Sequence, residues 1–297
     1  MSMESVTALA PGHGDPAGPP PIDRGRRRGR PSSFIRWVFL IVVALYFIVP
    51  MLAMARFAFQ NVPTALLTPE KIFTGWSMSG LWAALTDPQI LNAAKTSVLL
   101  VVFAIILNLV LLVPLAIVTE VRSPQLRPFL TAFTLLPWVI PPIALVVGVA
   151  ATFRATVPWF LASVFSLVPF YALWAMPFTY RALDAGLQAI SARTLYEAAR
   201  SMGASLGTII FRVLLPNMRA SMIAASGLTA AMVLGEFAFA SLLLKTTLPT
   251  QMVTYERSDP RGGLALALFV MLLTALSLGL VVRSLRRRGL NVQTTGL

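Results

Sequence analysis

The side chains that usually carry out catalysis are scarce in this sequence. It contains no cysteine, and its one histidine, His13, lies in a segment rich in proline and glycine. These absences exclude thiol catalysis, disulfides, iron–sulfur clusters and histidine-based metal sites. A single carboxylate, Glu236, falls within a long apolar run, and one isolated carboxylate cannot form an acid–base pair or a metal site. We therefore expect neither an enzyme nor a bound metal or cofactor.

A polar stretch from Glu197 to Gly203 interrupts the apolar sequence. Apolar residues before it follow the spacing of one helix face, at Leu183, Leu187, Ile190, Leu195, Ala198 and Met202. Gly203 can adopt the left-handed conformation that ends a helix, and Ser205 is placed to cap the amides of a new helix. A second apolar stripe follows, and Pro216, which has no amide proton, predicts a bend. The sequence thus predicts a helix–turn–helix elbow over residues 181–219.

The rest of the sequence is typical of an all-α polytopic membrane protein. Hydrophobic residues make up 57% of the chain and charged residues 12%, with a mean hydropathy of +0.78. Soluble domains have about 25% charged residues. Apolar runs of about 20 residues can cross the hydrocarbon layer as helices. We predict six transmembrane helices, over residues 37–54, 97–119, 129–153, 159–180, 221–244 and 264–282. Three prolines, Pro137, Pro141 and Pro142, are expected to break the third.

The first apolar run has an alternative interpretation as a cleaved signal peptide. Ala53-Met54-Ala55 forms a small-x-small site after it. Its 18 residues exceed the usual apolar core of about 7 to 15, which favours an uncleaved span.

The distribution of basic residues predicts the orientation in the membrane. Most of the 24 Lys and Arg residues flank the predicted spans on one side, which places both termini and the elbow in the cytoplasm. We predict a disordered cytoplasmic tail over residues 1–33, a membrane domain over 34–288 and a cytoplasmic C-terminal tail over 289–297. The arginines lie at the ends of apolar runs rather than on one folded face, so no nucleic-acid partner is expected.

The elbow carries a resemblance to a known family. The order Glu197, Ala198, Ala199, Gly203, Leu215 and Pro216, with Val213 where isoleucine is more usual, resembles the loop signature of permease subunits of binding-protein-dependent ABC importers. The resemblance covers about residues 34–288. It implies the type I importer permease fold, with the elbow between helices 4 and 5 acting as the coupling loop that contacts an ATPase subunit.

The same resemblance implies the partners and the location. The partners would be ABC ATPase subunits that bind ATP and Mg, a second permease subunit and an extracytoplasmic solute-binding protein, all at a bacterial cytoplasmic (inner) membrane. The sequence has no G-x-x-x-x-G-K-[ST] phosphate loop, so ATP hydrolysis is expected of the partner.

Residues 234–243 and the Asp259-Pro260 pair are most similar to spermidine and putrescine permeases, which implies a polyamine cargo. Permeases for ferric iron, thiamine, phosphonate, sulfate or molybdate are the alternatives. Glu236, in the outer half of the fifth span, favours a cationic cargo, and Asn108 and Trp138 are candidate pathway residues beside it. A structural hydrogen-bond anchor is the alternative role for Glu236. An ion-coupled carrier or channel usually needs more ionisable residues at membrane depth than this one.

Overall fold

The computed structural model describes residues 33–61, 68, 71 and 74–287, so both predicted tails lie outside it, apart from Ser33. The described residues fall into two units, which divide after residue 51. The described part of the first unit belongs to helix α1 (Ser33–Phe59), which continues into the second unit.

The described residues of the second unit are almost entirely helical. After α1 they form α2 (Ser79–Thr86), α3 (Pro88–Val121), α4 (Arg127–Val139), α5 (Pro142–Thr156), α6 (Pro158–Ala162), α7 (Leu167–Ala189), α8 (Ala192–Ser201), α9 (Leu206–Thr208), α10 (Leu215–Leu234), α11 (Ala238–Leu242), α12 (Leu248–Ser258) and α13 (Pro260–Arg287). A π-helical turn, Ile209–Leu214, joins α9 to α10.

The centre of the second unit consists of α3, α7 and α10, which pack against one another. Four residues of α3 at helical spacing have no exposed surface: Leu100, Ala104, Leu112 and Ala116. The other faces of α3 are also apolar, but their side chains remain exposed. The core therefore follows the small and aliphatic residues of one helix face.

Four described helical segments are long and apolar enough to cross a membrane: residues 36–59, 88–121, 206–234 and 260–280. The segments 124–139 and 142–156 qualify only as a pair, and they meet at an angle of 87°. Counting that pair as one span gives five. Helix α7 is not among them, and it carries Arg181 and Asp184 in its second half. The six-helix prediction is thus supported in part.

Helix boundaries differ from the predicted ones at three places. The predicted third span is two helices, α4 and α5, and the break falls at Ile140 and Pro141 while Pro137 lies inside α4. The predicted fourth span begins later, at Leu167, after α6. The helix of the predicted fifth span, α10, ends at Leu234. Residues 235–237 are not helical, and α11 begins after them. Glu236 therefore lies in a helix break rather than within a helix.

Candidate functional site

The predicted elbow starts with a helix break that the sequence did not indicate. The predicted apolar stripe treated residues 183–202 as one helix, whereas Ser191 adopts a left-handed conformation with φ of 50° and separates α7 from α8. Met202, the last residue of that stripe, is 81% exposed instead of buried. The physical reason is the change in helix direction at Ser191, which gives α8 its own buried side.

The turn after α8 has the predicted geometry. Gly203 adopts a left-handed conformation with φ of 82°. Its amide donates to Arg200 O at 2.9 Å, and the Ala204 amide donates to Ala199 O at 3.0 Å, which closes the helix end. Ser205 Oγ accepts a hydrogen bond from Thr208 N at 3.3 Å and so caps α9. The glycine and serine predictions are confirmed.

The predicted bend at Pro216 stays a prediction, although the helix is not interrupted there. Residues 206–234 run as one helical segment, and the π-helical turn accommodates the proline. The Leu215 amide donates to Ile210 O, five residues back. One residue after the proline, Asn217 Nδ2 donates to Val213 O at 2.7 Å. Pro216 itself is the second residue of α10, where the lack of an amide proton is tolerated.

The two sides of this helix–turn–helix differ sharply in burial. Ala192, Ala199, Ile209 and Leu214 are buried in one cluster with residues of α3 and α7. Glu197, Ala198, Gly203 and Pro216 are exposed, and Val213 and Leu215 are half-buried. Two large apolar side chains, Met202 and Phe211, are 81% and 71% exposed. One side is thus fixed in the helix bundle, and the other offers small and apolar groups for contact.

Glu197 pairs within its own helix. Its Oε1 accepts a hydrogen bond from Arg193 Nε at 2.9 Å, one helical turn earlier, and both side chains are largely exposed. Such exposed pairs stabilise a fold by only about 0.3–0.5 kcal/mol. The pair therefore leaves Glu197 available for another partner.

A group of charged residues near the elbow was missed by sequence reasoning. Arg127 Nε contacts Asp184 Oδ1 at 3.0 Å, and Arg127 Nη2 contacts Glu120 Oε2. Asp184 Oδ2 also accepts a hydrogen bond from Gln188 Nε2 at 2.8 Å. The only signal was the rarity of carboxylates in so apolar a chain, since nothing in the spacing connects residues 127 and 184.

Glu236 is buried at the break between α10 and α11, with 6% of its surface exposed. Its Oε1 accepts a hydrogen bond from Phe239 N at 2.8 Å. Its Oε2 is also buried, and the Tyr171 hydroxyl is the side-chain group that interacts with the carboxylate. The carboxylate thus faces the interior of this chain, where it fixes the start of α11.

Asn108 lies at the centre of the bundle and is 2% exposed. Its Nδ2 lies 3.5 Å from Thr179 Oγ1, which in turn lies 2.8 Å from Thr229 Oγ1. This buried polar ladder joins α3, α7 and α10. No described contact links Asn108 directly to Glu236 or Trp138.

Trp138 stacks on Trp174, with ring centroids 4.3 Å apart and planes 10° apart. Its Nε1 donates to Trp174 O at 2.9 Å. Trp174 meets Phe239 edge to face at 5.6 Å, so an aromatic chain leads from the α4–α5 break to the helix that Glu236 caps. Trp138 is 42% exposed, whereas the other two predicted pathway residues, Glu236 and Asn108, are buried.

A cleft of about 570 Å³ lies between α5, α6 and the end of α11. Its walls are mainly aliphatic, and Arg154 is the charged residue in its lining. Lys245, next to the lining residue Leu244, donates from Nζ to Ala162 O at 2.8 Å. Two cations therefore lie close to this cleft. Among the described residues, no cluster of His, Asp and Glu could hold a metal ion.

An all-helical fold with several membrane-spanning helices and an exposed helix–turn–helix at one end is typical of membrane transport subunits. The chain belongs to the family of binding-protein-dependent transport system inner membrane components, whose sequence pattern matches residues 112–289. The matched region includes α7 to α10 and therefore the whole elbow. Because the family consists of transport components, the chain is a multi-pass membrane permease and not an enzyme.

Curated relatives of this chain are named for molybdenum transport. The "Molybdenum transport system permease protein ModB" of Mycobacterium bovis and that of Mycobacterium tuberculosis are each 27% identical over 270 residues, covering 83% of this chain and 93% of the relative. A "Probable molybdenum ABC transporter permease protein" of Haloferax volcanii is 27% identical over 261 residues, covering 84% and 90%. These names do not support the predicted spermidine and putrescine branch.

Proposed function

We infer that this permease imports molybdate or a closely similar tetrahedral oxyanion. The observation that carries the proposal is the similarity to three molybdenum permeases along more than four fifths of the chain. Molybdate was among the alternatives to a polyamine at the sequence level. The cargo would be delivered by a solute-binding protein and would enter the cytoplasm of a bacterial cell.

The burial of Glu236 weakens the argument that its charge favours a cationic cargo. That argument required an ionised carboxylate facing the pathway, whereas the side chain is 6% exposed and caps α11 through Phe239 N. Arg154 and Lys245 lie at an open cleft instead. Positive charge near the cleft attracts an anion and repels a cationic polyamine.

The elbow is proposed as the contact with the ATPase. Glu197, Ala198 and Gly203 form the exposed part, Ala199 fixes it to the bundle, and Val213, Leu215 and Pro216 continue it into α10. Exposed Met202 and Phe211 extend the contact with apolar surface that has no partner elsewhere in the described chain. ATP and Mg would bind to the ATPase partner, and this chain would bind no cofactor.

The complete assembly would contain two permease subunits, two ATPase subunits and the binding protein. We propose that α7 serves as the sixth span, because its Thr179 contacts Asn108 of α3 and Thr229 of α10, and its Asp184 pairs with Arg127 of α4. Six spans place both termini in the cytoplasm, beside the ATPases. Among the predicted pathway residues, Trp138 is proposed to face the cargo, whereas Glu236 and Asn108 position the helices around it.

Uptake into proteoliposomes tests the proposal. The chain would be reconstituted with its ATPase and binding protein, and uptake of labelled molybdate measured with and without internal ATP. We expect ATP-dependent uptake that excess tungstate abolishes and excess spermidine does not affect. ATP-independent uptake would indicate a carrier or channel, and uptake of spermidine but not molybdate would overturn the cargo.

A further inference from the structure

Glu120, Arg127 and Asp184, called here the ion triad, connect three helices at the elbow end of the bundle. Glu120 lies near the end of α3, Arg127 is the first residue of α4, and Asp184 lies in the second half of α7. Their side chains are 12%, 31% and 15% exposed. One guanidinium thus holds two carboxylates from two different helices, which its planar fork of donors allows.

The ion triad is next to the residues that hold the elbow. Leu183 and Leu187, which flank Asp184 on α7, are fully buried in the same cluster as Ala192 and Ala199 of α8. Because packed cores do not deform continuously, a displacement of α8 is transmitted to this end of α7. A movement of α7 relative to α4 changes the distance between Asp184 and Arg127.

The Tyr180 hydroxyl provides an independent observation. It is fully buried and close to the Thr119 side chain, and it makes no hydrogen bond to a charged group in the described contacts. Tyr180 lies one helical turn before Asp184, and it interacts electrostatically with both Asp184 and Arg127. This hydroxyl can donate to Asp184 in another arrangement, once Arg127 has moved away.

We propose that the ion triad holds the base of the elbow against α3 and α4 in the arrangement described, and that it opens during transport. Arg127 is then a positioning residue that couples ATPase movement to the helices, and Tyr180 replaces it at Asp184 in the second arrangement. This inference rests on the proposed function of the elbow, but not on the identity of the cargo.

The test uses the full complex in proteoliposomes and measures ATP hydrolysis with and without loaded binding protein. The stimulation ratio is the readout, because a purely structural defect lowers both rates together. Coupling between sites typically corresponds to 5- to 150-fold effects, so Arg127→Met should lower the ratio about tenfold. Arg127→Lys, which retains the charge without the fork, should give an intermediate ratio. Arg122→Met, an exposed arginine of the same loop without an ion pair in the described contacts, should leave it unchanged.

Two further variants keep the test decisive if Arg127→Met fails to assemble. Neutralising a whole ion triad is often tolerated, whereas removing one partner leaves an unpaired charge. The variant Glu120→Gln/Arg127→Met/Asp184→Asn should therefore assemble normally and still show a low ratio. Tyr180→Phe removes only the buried hydroxyl, so it should change the melting temperature little while lowering the ratio.

The possible failures are distinguishable. An unstimulated wild-type complex would refute the proposed function and not the ion triad specifically. A stimulated wild type together with a normal ratio in the triple variant would refute the coupling role. A normal ratio in Tyr180→Phe alone would refute the replacement of Arg127 by Tyr180.

Discussion

The carboxylate of Glu236 accepts a hydrogen bond from the amide of Phe239, with 2.8 Å between Oε1 and N. Three residues separate donor and acceptor, the spacing by which a side chain caps the start of a helix. The cap explains why a carboxylate occurs in an apolar part of the chain, since α11 begins here without any other side-chain cap. It also places Phe239 against Trp174, and thereby links the helix break to the aromatic residues around Trp138.

Glu236→Gln should retain most uptake, because the amide oxygen of glutamine can still accept from Phe239 N. Glu236→Ala should lose the cap and destabilise the protein by about 1 kcal/mol. Uptake per assembled complex and thermal unfolding in detergent measure the two effects. If Glu236→Gln abolished molybdate uptake in a normally assembled complex, the carboxylate charge would act directly in transport and the capping account would fail.

Asn108→Leu should destabilise the bundle by about 0.6–2 kcal/mol, the range for interhelical hydrogen bonds in membranes. The substitution removes the amide that lies beside Thr179, while Thr179 keeps its contact with Thr229. Thermal unfolding in detergent is the measurement. Asn92→Leu, at an exposed position of the same helix, is the matched control and should change stability little. Equal effects of the two substitutions would contradict the polar ladder.

Gly203→Val should weaken ATPase binding, whereas Gly203→Asn should retain it. A Cβ atom at this position would meet no other atom of this chain within 4 Å, so crowding within the chain is not the constraint. The backbone is the constraint, because its φ of 82° costs a β-branched residue about 1–2 kcal/mol and suits asparagine better. Copurification of the ATPase measures the difference. Equal binding by both variants would show that the turn conformation does not matter.

Reporter fusions at Asp87 and Ala204 should report opposite compartments, with Ala204 in the cytoplasm. The expectation follows from the bias of the basic residues and requires α7 to cross the membrane. Both fusions reporting the same side would rule out the six-span topology and leave α7 as a helix that does not span.

Much of the fold follows from local patterns. The long apolar runs predicted α3 and α13. The backbone freedom of Gly203 and the capping hydroxyl of Ser205 predicted the turn after α8, because such a turn depends on a few neighbouring residues. Ser191 could not be recognised in this way. A left-handed serine is favoured by tertiary packing rather than by its own preference, and the apolar stripe continues across it.

The site was predictable to a smaller extent. The family resemblance identified the elbow residues, but Arg127 and Asp184 are 57 positions apart and meet only through the packing of α4 on α7. Glu236 was singled out by the rarity of carboxylates, yet its burial depends on where α10 ends. That position is Leu234, and Gly235 after it is a weak signal in an apolar run.

The most direct test of the account is whether residue 198 touches the ATPase. Because the chain has no cysteine, Ala198→Cys introduces its only thiol, at an exposed position of α8. A short thiol-to-amine crosslinker would be applied to the assembled complex in membranes, with Leu244→Cys, 91% exposed and on the predicted outer side, as the control. The account predicts an adduct with the ATPase from Ala198→Cys, changed by ATP, and none from Leu244→Cys. No adduct from Ala198→Cys in a complex that hydrolyses ATP normally, or equal adducts from both positions, would contradict it.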